Sequence, residues 1–305
     1  MLMLDLIIIG AGPAGLAAAI YGKRAELDLA IVEKEAVQGG QIIITNEIDN
    51  YPGLPHTGGF ELADKFREHA EALGATFTMG EVEKIETTDH VKAYLRDGTI
   101  LEAKTAIIAG GAKHRNLNVP GEAELTGSGV SYCATCDGAF FRKKTVAVVG
   151  GGDVAIGDAL FLARLCAKVY VIHRRQEFRA AKTLVTALKA MPNVEFVYDS
   201  TVKEIQGDGH VERVVVTNVK TNEESTLEIN GIFVAVGMLP ETSIYKDIVD
   251  LDEAGYIKAD ETGRTSNPML FAAGDIRTKA LRQVITAAAD GANAITSVEA
   301  YLNQK

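Results

Sequence analysis

The feature that most constrains this chain is a pattern that occurs twice: an apolar run, a glycine-rich turn, then an apolar helix candidate. The first copy is Leu6-Ile7-Ile8-Ile9 running into Gly10-Ala11-Gly12-Pro13-Ala14-Gly15. The second is Val146-Ala147-Val148-Val149 running into Gly150-Gly151-Gly152-Asp153-Val154-Ala155. A lone GxGxxG is weak evidence, but between a strand and a helix each glycine has a task. One makes the tight turn, one lets the backbone approach a pyrophosphate, and the last lets helix and strand pack closely. The phosphates of a dinucleotide then lie against free N–H groups at the helix N-terminus. Two such turns in 305 residues predict an α/β chain with two Rossmann-like, three-layer nucleotide-binding domains.

The residue closing the next strand distinguishes the two copies. At one and the same offset from the first glycine stand Glu33, after Leu29-Ala30-Ile31-Val32, and His173, after Val169-Tyr170-Val171-Ile172. A carboxylate accepts hydrogen bonds from ribose hydroxyls, so Glu33 suits an adenosine without a 2′-phosphate. His173-Arg174-Arg175 with Arg179 makes a cationic cluster suited to that phosphate. The second turn, with Gly150, Gly152, Asp153 and Val154, is therefore expected to prefer NADPH to NADH. Two nicotinamide sites would serve little purpose together, whereas a flavin in the first gives a relay from hydride chemistry to another acceptor. The run Phe271-Ala272-Ala273-Gly274-Asp275, then Arg282-Gln283-Val284 before an alanine-rich stretch, is a suitable closing segment, with Asp275 placed to meet a ribityl hydroxyl. The first domain is then discontinuous, residues 1–113 and 244–305, with residues 114–243 inserted as the second. Pro120 and Pro240 lie near the two crossings.

Composition excludes other classes. A formal net charge of −10 argues against a nucleic-acid surface, and no apolar stretch approaches the length of a membrane helix. The apolar start lacks a basic n-region, contains Asp5 and runs into the glycine turn, so a first strand is expected and not a secretion signal. With 3 cysteines, a reducing cytosol is the expected compartment.

Two of those cysteines fall in Ser131-Tyr132-Cys133-Ala134-Thr135-Cys136-Asp137-Gly138. Tetrahedral zinc needs four ligands, but Cys166 sits in an apolar helix candidate, DALFLARLCAK, and the 6 histidines show no HxxxH spacing. A disulfide closing so short a loop adds little chain-entropy stabilisation. A redox pair remains, since thiols at this spacing can close a disulfide, and helix-end dipoles with partial burial lower a thiol's pKa toward neutrality. Asp137 reads either as a solvated turn acid or as a proton donor and acceptor for the thiolates.

In order along the chain, GAGPAG, Gly39-Gly40-Gln41, CATCDGAFF, VVGGGD, HRRQEFRA and AAGDIR resemble the low-molecular-weight bacterial thioredoxin reductases, over nearly the whole sequence. The resemblance implies a homodimeric flavoprotein that passes electrons from NADPH through FAD and the Cys133–Cys136 disulfide to thioredoxin or a thioredoxin-like protein. It also implies a rotation between the domains. By motif, FAD contacts are implied for Gly10, Gly12, Pro13, Ala14, Gly15, Glu33, Gly40, Gln41, Asn50 (of Asp49-Asn50-Tyr51-Pro52-Gly53), Gly274, Asp275, Arg282, Gln283 and Val284. Cys136 is implied as the thiol nearer the flavin, Cys133 as the partner-facing thiol, and Asp137 as the acid–base residue. The sequence departs from the family pattern at Val154, where a small hydroxyl residue is usual, at Gly157, where an acid is usual, and at Ala109-Gly110-Gly111. The alternatives are a related flavin-dependent oxidoreductase with another donor or with a small-molecule or peroxiredoxin-type acceptor, and a flavin redox sensor without turnover.

Overall fold

The computed structural model describes residues 3–45 and 47–304. The chain opens with β1 (Leu4–Ile9), α1 (Pro13–Arg24), β2 (Leu29–Glu33), α2 (Gly59–Ala72), β3 (Thr76–Met79), β4 (Val82–Thr87), β5 (Val91–Leu95) and β6 (Ile100–Ile108), and leaves through β7 (Ala112–His114). β1 is parallel to β2 and β6, with Ile8 opposite both Ile31 and Ile107. Leu6 and Ile8 join one core with residues of α1, while Ile7 and Ile9 join another with Val82, Ile85 and Val91. Side chains alternate across a strand, so a central parallel strand covered on both faces must be apolar at every position. That is the physical reason for the run LIII.

The next stretch comprises β8 (Val130–Ser131), α3 (Ala134–Asp137), β9 (Thr145–Val149), α4 (Asp153–Ala163), β10 (Lys168–Ile172), α5 (Lys182–Lys189), β11 (Val194–Val197), β12 (Ser200–Gln206), β13 (Arg213–Asn218), β14 (Glu224–Glu228) and β15 (Gly231–Val234). A parallel sheet runs β11-β10-β9-β15-β8, beside an antiparallel sheet β12-β13-β14. Val146 and Val148 pack with Ile156, Leu162 and Leu188, while Ala147 and Val149 pack with Val202, Val214 and Val216. The layering of the first unit is thus repeated. α4 ends at Ala163, short of the helix expected through Cys166. Asn193 Nδ2 donates to Ala163 O at 2.8 Å and Cys166 O at 3.0 Å, satisfying carbonyls that a further turn would have used.

The return runs through β16 (Met238–Pro240), β17 (Leu270–Ala272) and α6 (Val284–Leu302). β17 lies parallel to the C-terminal half of β6, completing a 7-stranded sheet. α6 packs on α1 so closely that a Cβ on Gly291 would lie 2.2 Å from Ala14 O. The chain divides into two compact units, one ending at Lys113 and resuming at Leu239, the other spanning His114–Met238. The return crossing therefore falls earlier than the expected 243/244. Glu241 explains the difference, since Lys34 at 2.5 Å and Lys113 at 2.7 Å tie it to the first unit.

Candidate redox site and nucleotide turns

At the first turn Gly10 has φ +104°, a left-handed conformation that favours glycine, and a Cβ there would lie 2.5 Å from Ala109 O. A Cβ on Gly15 would lie 1.8 Å from Gly10 O, so helix and turn meet at backbone contact. Pro13 opens α1 where no intrahelical N–H is required, and Ala14 is buried beside it. Glu33, the last residue of β2, accepts Ala11 N–H at 2.6 Å and Glu35 N–H at 3.0 Å. Gly39 N–H donates to Ala11 O at 2.8 Å, which sets Gly40 over Gly12, where a Cβ would be 3.3 Å from the Gly12 Cα.

Gln41 Nε2 donates to Ala112 O, and Asn50 Nδ2 donates to Gln283 Oε1 at 2.9 Å, one residue before Val284 opens α6. The first unit therefore joins residues from both ends of the chain. Arg282 lies over the Tyr256 ring at 4.1 Å. Asp275, just after Gly274, is half-buried, and burial pushes its carboxyl up against the pull of Lys279 and Arg282.

The second turn repeats this geometry with Ala155 in the position of Gly15. Gly150 has φ +151°, and a Cβ there would meet that of Ala155 at 2.7 Å. Gly152 and Gly157 face open space, and Val154 is 69% exposed on the first turn of α4. Asp153 Oδ1 accepts Ala181 N–H at 2.7 Å, fixing the start of α4 to the approach of α5.

His173 departs from the cationic cluster expected for it. It is 8% exposed, stacks on Phe178 at 4.9 Å and backs the turn, where a Cβ on Gly151 would lie 2.2 Å from its ring. Burial lowers its pKa, opposed by the Glu177 carbonyl at 3.1 Å and reinforced by Arg174, Arg175 and Arg179, so its surroundings disfavour the charged ring. Those three arginines are exposed, and no salt bridge to them occurs among the described residues. Arg179 N–H donates to Gly151 O at 2.8 Å, which holds its segment against the turn.

Cys133 and Cys136 form a disulfide with Cα atoms 5.3 Å apart. Cys133 caps α3, and Cys136 N–H donates to its Sγ at 3.2 Å. Asp137 is not a solvated turn acid. Its Oδ2 accepts the Ser131 hydroxyl at 2.6 Å, and burial pushes its pKa up despite that hydrogen bond. Cys133 N–H in turn donates to Ser131 Oγ at 3.1 Å, so one hydroxyl links the acid to the dithiol backbone. Gly138 lets this segment lie against Phe161 and Leu162 of α4, since a Cβ would be 2.9 Å from the Phe161 ring. Cys166 is buried and its thiol is pushed up to about 11, which removes it from thiolate chemistry near neutral pH.

The family model described as pyridine nucleotide-disulphide oxidoreductase matches residues 4–291. The chain is 45% identical over 305 residues to a thioredoxin reductase of Peptoclostridium acidaminophilum, covering 98% of this chain and 96% of the relative. It belongs to the thioredoxin reductases of that oxidoreductase family. Its fold is similar to the thioredoxin reductase structure from Streptococcus pyogenes MGAS5005, with TM-score 0.93, 47% identity and 99% of each chain covered. It is equally similar in fold to the thioredoxin reductase from Giardia duodenalis, with TM-score 0.93, 36% identity and 99% of each chain covered.

Thioredoxin reductases use FAD and NADPH, and these are the cofactors of this chain. The residues present fit both. Gln41 Oε1, Asp275 Oδ1 and Arg282 Nε are buried atoms without a protein partner, close in sequence or contact to the first turn's glycines and to α6. Buried polar atoms of this kind are normally hydrogen-bonded, so they suit a polar ligand. At the second turn, the open space at Gly152 and the unpaired arginines suit a phosphorylated dinucleotide.

Two groups of the site stand outside every sequence motif. Ser131 precedes Cys133 by two positions, and that adjacency was its signal. Asp290, with Arg277 and Lys279, lies under the Asp275 turn, and its signal was a lone acid inside the alanine-rich helix AAADGANA.

Proposed function

We propose that the chain is an NADPH-dependent thioredoxin reductase, with FAD on the first turn, NADPH on the second and Cys133–Cys136 as the outlet. The observation that carries this reading is the Cys133–Cys136 disulfide next to the half-buried Asp137 carboxyl, in a chain that also holds two dinucleotide turns. FAD would lie along Gly10, Gly12, Pro13, Ala14, Gly15, Glu33, Gly40, Gln41, Asn50, Gly274, Asp275, Arg282, Gln283 and Val284. NADPH would take Gly150, Gly152, Asp153 and Val154, with Arg174, Arg175 and Arg179 on the 2′-phosphate and His173 supporting the turn from beneath. FAD bound there would supply a two-electron carrier between NADPH and the disulfide.

Those two electrons break the Cys133–Cys136 bond and, with one proton, leave Cys136 as a thiol and Cys133 as a thiolate. Asp137, kept protonated more readily by its burial, is the proton donor to the nascent Cys136 thiolate, and Ser131 holds its Oδ2 in place. The Cys133 thiolate, stabilised by the Cys136 N–H, attacks one sulfur of the partner's disulfide to form a mixed disulfide, and the partner sulfur it displaces takes a proton from water. Cys136, deprotonated by Asp137, then displaces the partner's second thiol and restores the intramolecular bond. The partner leaves as a dithiol.

The proposed partner is thioredoxin or a thioredoxin-like protein. We also propose a homodimer, consistent with exposed Tyr21, Phe60, Leu281 and Ile285 in the first unit, and a cytoplasmic setting. No described helix is long and apolar enough to cross a membrane.

Cys136→Ser tests the outlet. NADPH should still bleach the flavin, while thioredoxin reduction falls to background. Thioredoxin turnover surviving in that variant would contradict the relay.

A further inference from the structure

Behind the Asp275 turn lies a buried cluster whose charge is out of balance. Asp290, 6% exposed on α6, accepts Gly274 N–H at 2.9 Å, Arg277 Nε at 2.9 Å and Lys279 Nζ at 2.8 Å on Oδ2, and Arg277 Nη2 at 2.8 Å on Oδ1. The Arg277 and Lys279 side chains are 4% and 6% exposed. Two buried cations therefore share one buried carboxylate. Glu261 reaches only Arg277, at 3.9 Å, from a side chain 95% exposed to solvent. A buried charge without its counter-charge is strongly destabilising. Lys279 Nζ and Gly274 N–H share the one acceptor Asp290 Oδ2, which sets the ammonium beside the turn that carries Asp275, whose Oδ1 is a buried atom without a protein partner.

We propose that Lys279 is a positioning residue for FAD: clamped by Asp290, it holds Asp275 as a hydrogen-bond acceptor for a flavin hydroxyl. This rests on the reading of Asp275 as an FAD contact. The charges that act on the Asp275 carboxyl are those of Lys279, Arg282 and Asp290, with the Tyr256 ring beneath the Arg282 guanidinium. Burial is the largest influence and favours the neutral acid, Lys279 and then Arg282 favour the anion, and Asp290 opposes them. Without Lys279, burial and Asp290 act against Arg282 alone, and the Asp275 pKa rises. Protonation then converts an acceptor into a donor, so FAD affinity falls as the pH drops through the raised pKa. The turn itself survives, because Arg277 keeps both its hydrogen bonds to Asp290. Gly274 also keeps its φ of +80°, with room for no Cβ beside Ala14, at 2.9 Å.

FAD release from the diluted holoenzyme, read as flavin fluorescence at about pH 6 and about pH 8, separates this role from simple packing. Lys279→Met is expected to lose roughly tenfold in FAD affinity between the higher and the lower pH, because its Asp275 takes up a proton over that range. Wild type and Lys279→Arg should hold FAD with little change over that range. Asp275→Asn should weaken FAD at both pH values, and adding Lys279→Met to it should restore no pH dependence. Lys279→Met that tracks wild type overturns the proposal. So does an equal loss at both pH values that Lys279→Arg fails to rescue, because that is damage to packing. Asp275→Asn holding FAD as tightly as wild type would instead remove the reading of Asp275 on which the proposal stands.

Discussion

At the first turn the strand-closing residue, Glu33, accepts Ala11 N–H on a carboxylate oxygen at 2.6 Å, whereas at the second the His173 ring lies beneath Gly151. Both side chains stand at the same offset from their first glycine, and both are turned back onto their own turn. The offset therefore marks a residue that braces the turn, and the ligand-facing chemistry is set by what else is near it. At the first turn the braced group is itself a carboxylate with acceptor capacity to spare. At the second the charge comes from the next residues along, Arg174, Arg175 and Arg179, which stay exposed. On the proposed reading, one fold element serves two cofactors through residues a few positions beyond the motif.

The third motif position gives the largest contrast. Gly15→Ala places a Cβ 1.8 Å from Gly10 O, so the first unit should lose roughly 3 kcal/mol or more and retain little FAD. The reciprocal Ala155→Gly at the second turn meets no such contact and should cost only about 1 kcal/mol of helix propensity. Thermal unfolding and bound-flavin absorbance of the two variants decide it. Similar losses in both would break the comparison.

The arginines give the next effect. Arg175→Ala removes a charge-assisted hydrogen bond worth about 1.5–3 kcal/mol, so KM for NADPH should rise by roughly tenfold to a hundredfold while KM for NADH stays put. Equal loss with both nucleotides would mean that the arginine braces the turn as His173 does. Gly157→Ala should be the smallest change. A Cβ there meets nothing within 4 Å, so the variant should gain up to about 1 kcal/mol in denaturant unfolding. A loss would show that helix α4 packs against something at that face.

Both turns, the dithiol and the closing AAGD segment were legible because each depends on local backbone geometry, which dictates residue type at fixed spacing. His173 was not, because the direction of a side chain at a strand end follows from the packing of Phe178 and Gly151 around it. Asp137 was read in two ways for the same reason. Its burial depends on Gly138 meeting Phe161 on another element. The cluster of Asp290, Arg277 and Lys279 is assembled by α6 and the turn after β17, a contact that no window of sequence displays. The return crossing was misplaced because Pro240 marks a linker only loosely, while the pairing of Glu241 with Lys34 and Lys113 fixes its side of the boundary.

In the proposed relay, electrons entering at the second turn leave through Cys133 and Cys136. Anaerobic titration with NADPH, following flavin absorbance in wild type and in Cys136→Ser, tests it most directly. Wild type should take up twice the reducing equivalents that the flavin alone accepts, and Cys136→Ser should take up only the flavin's share. Equal capacity in the two proteins would place the disulfide off the path and contradict the account.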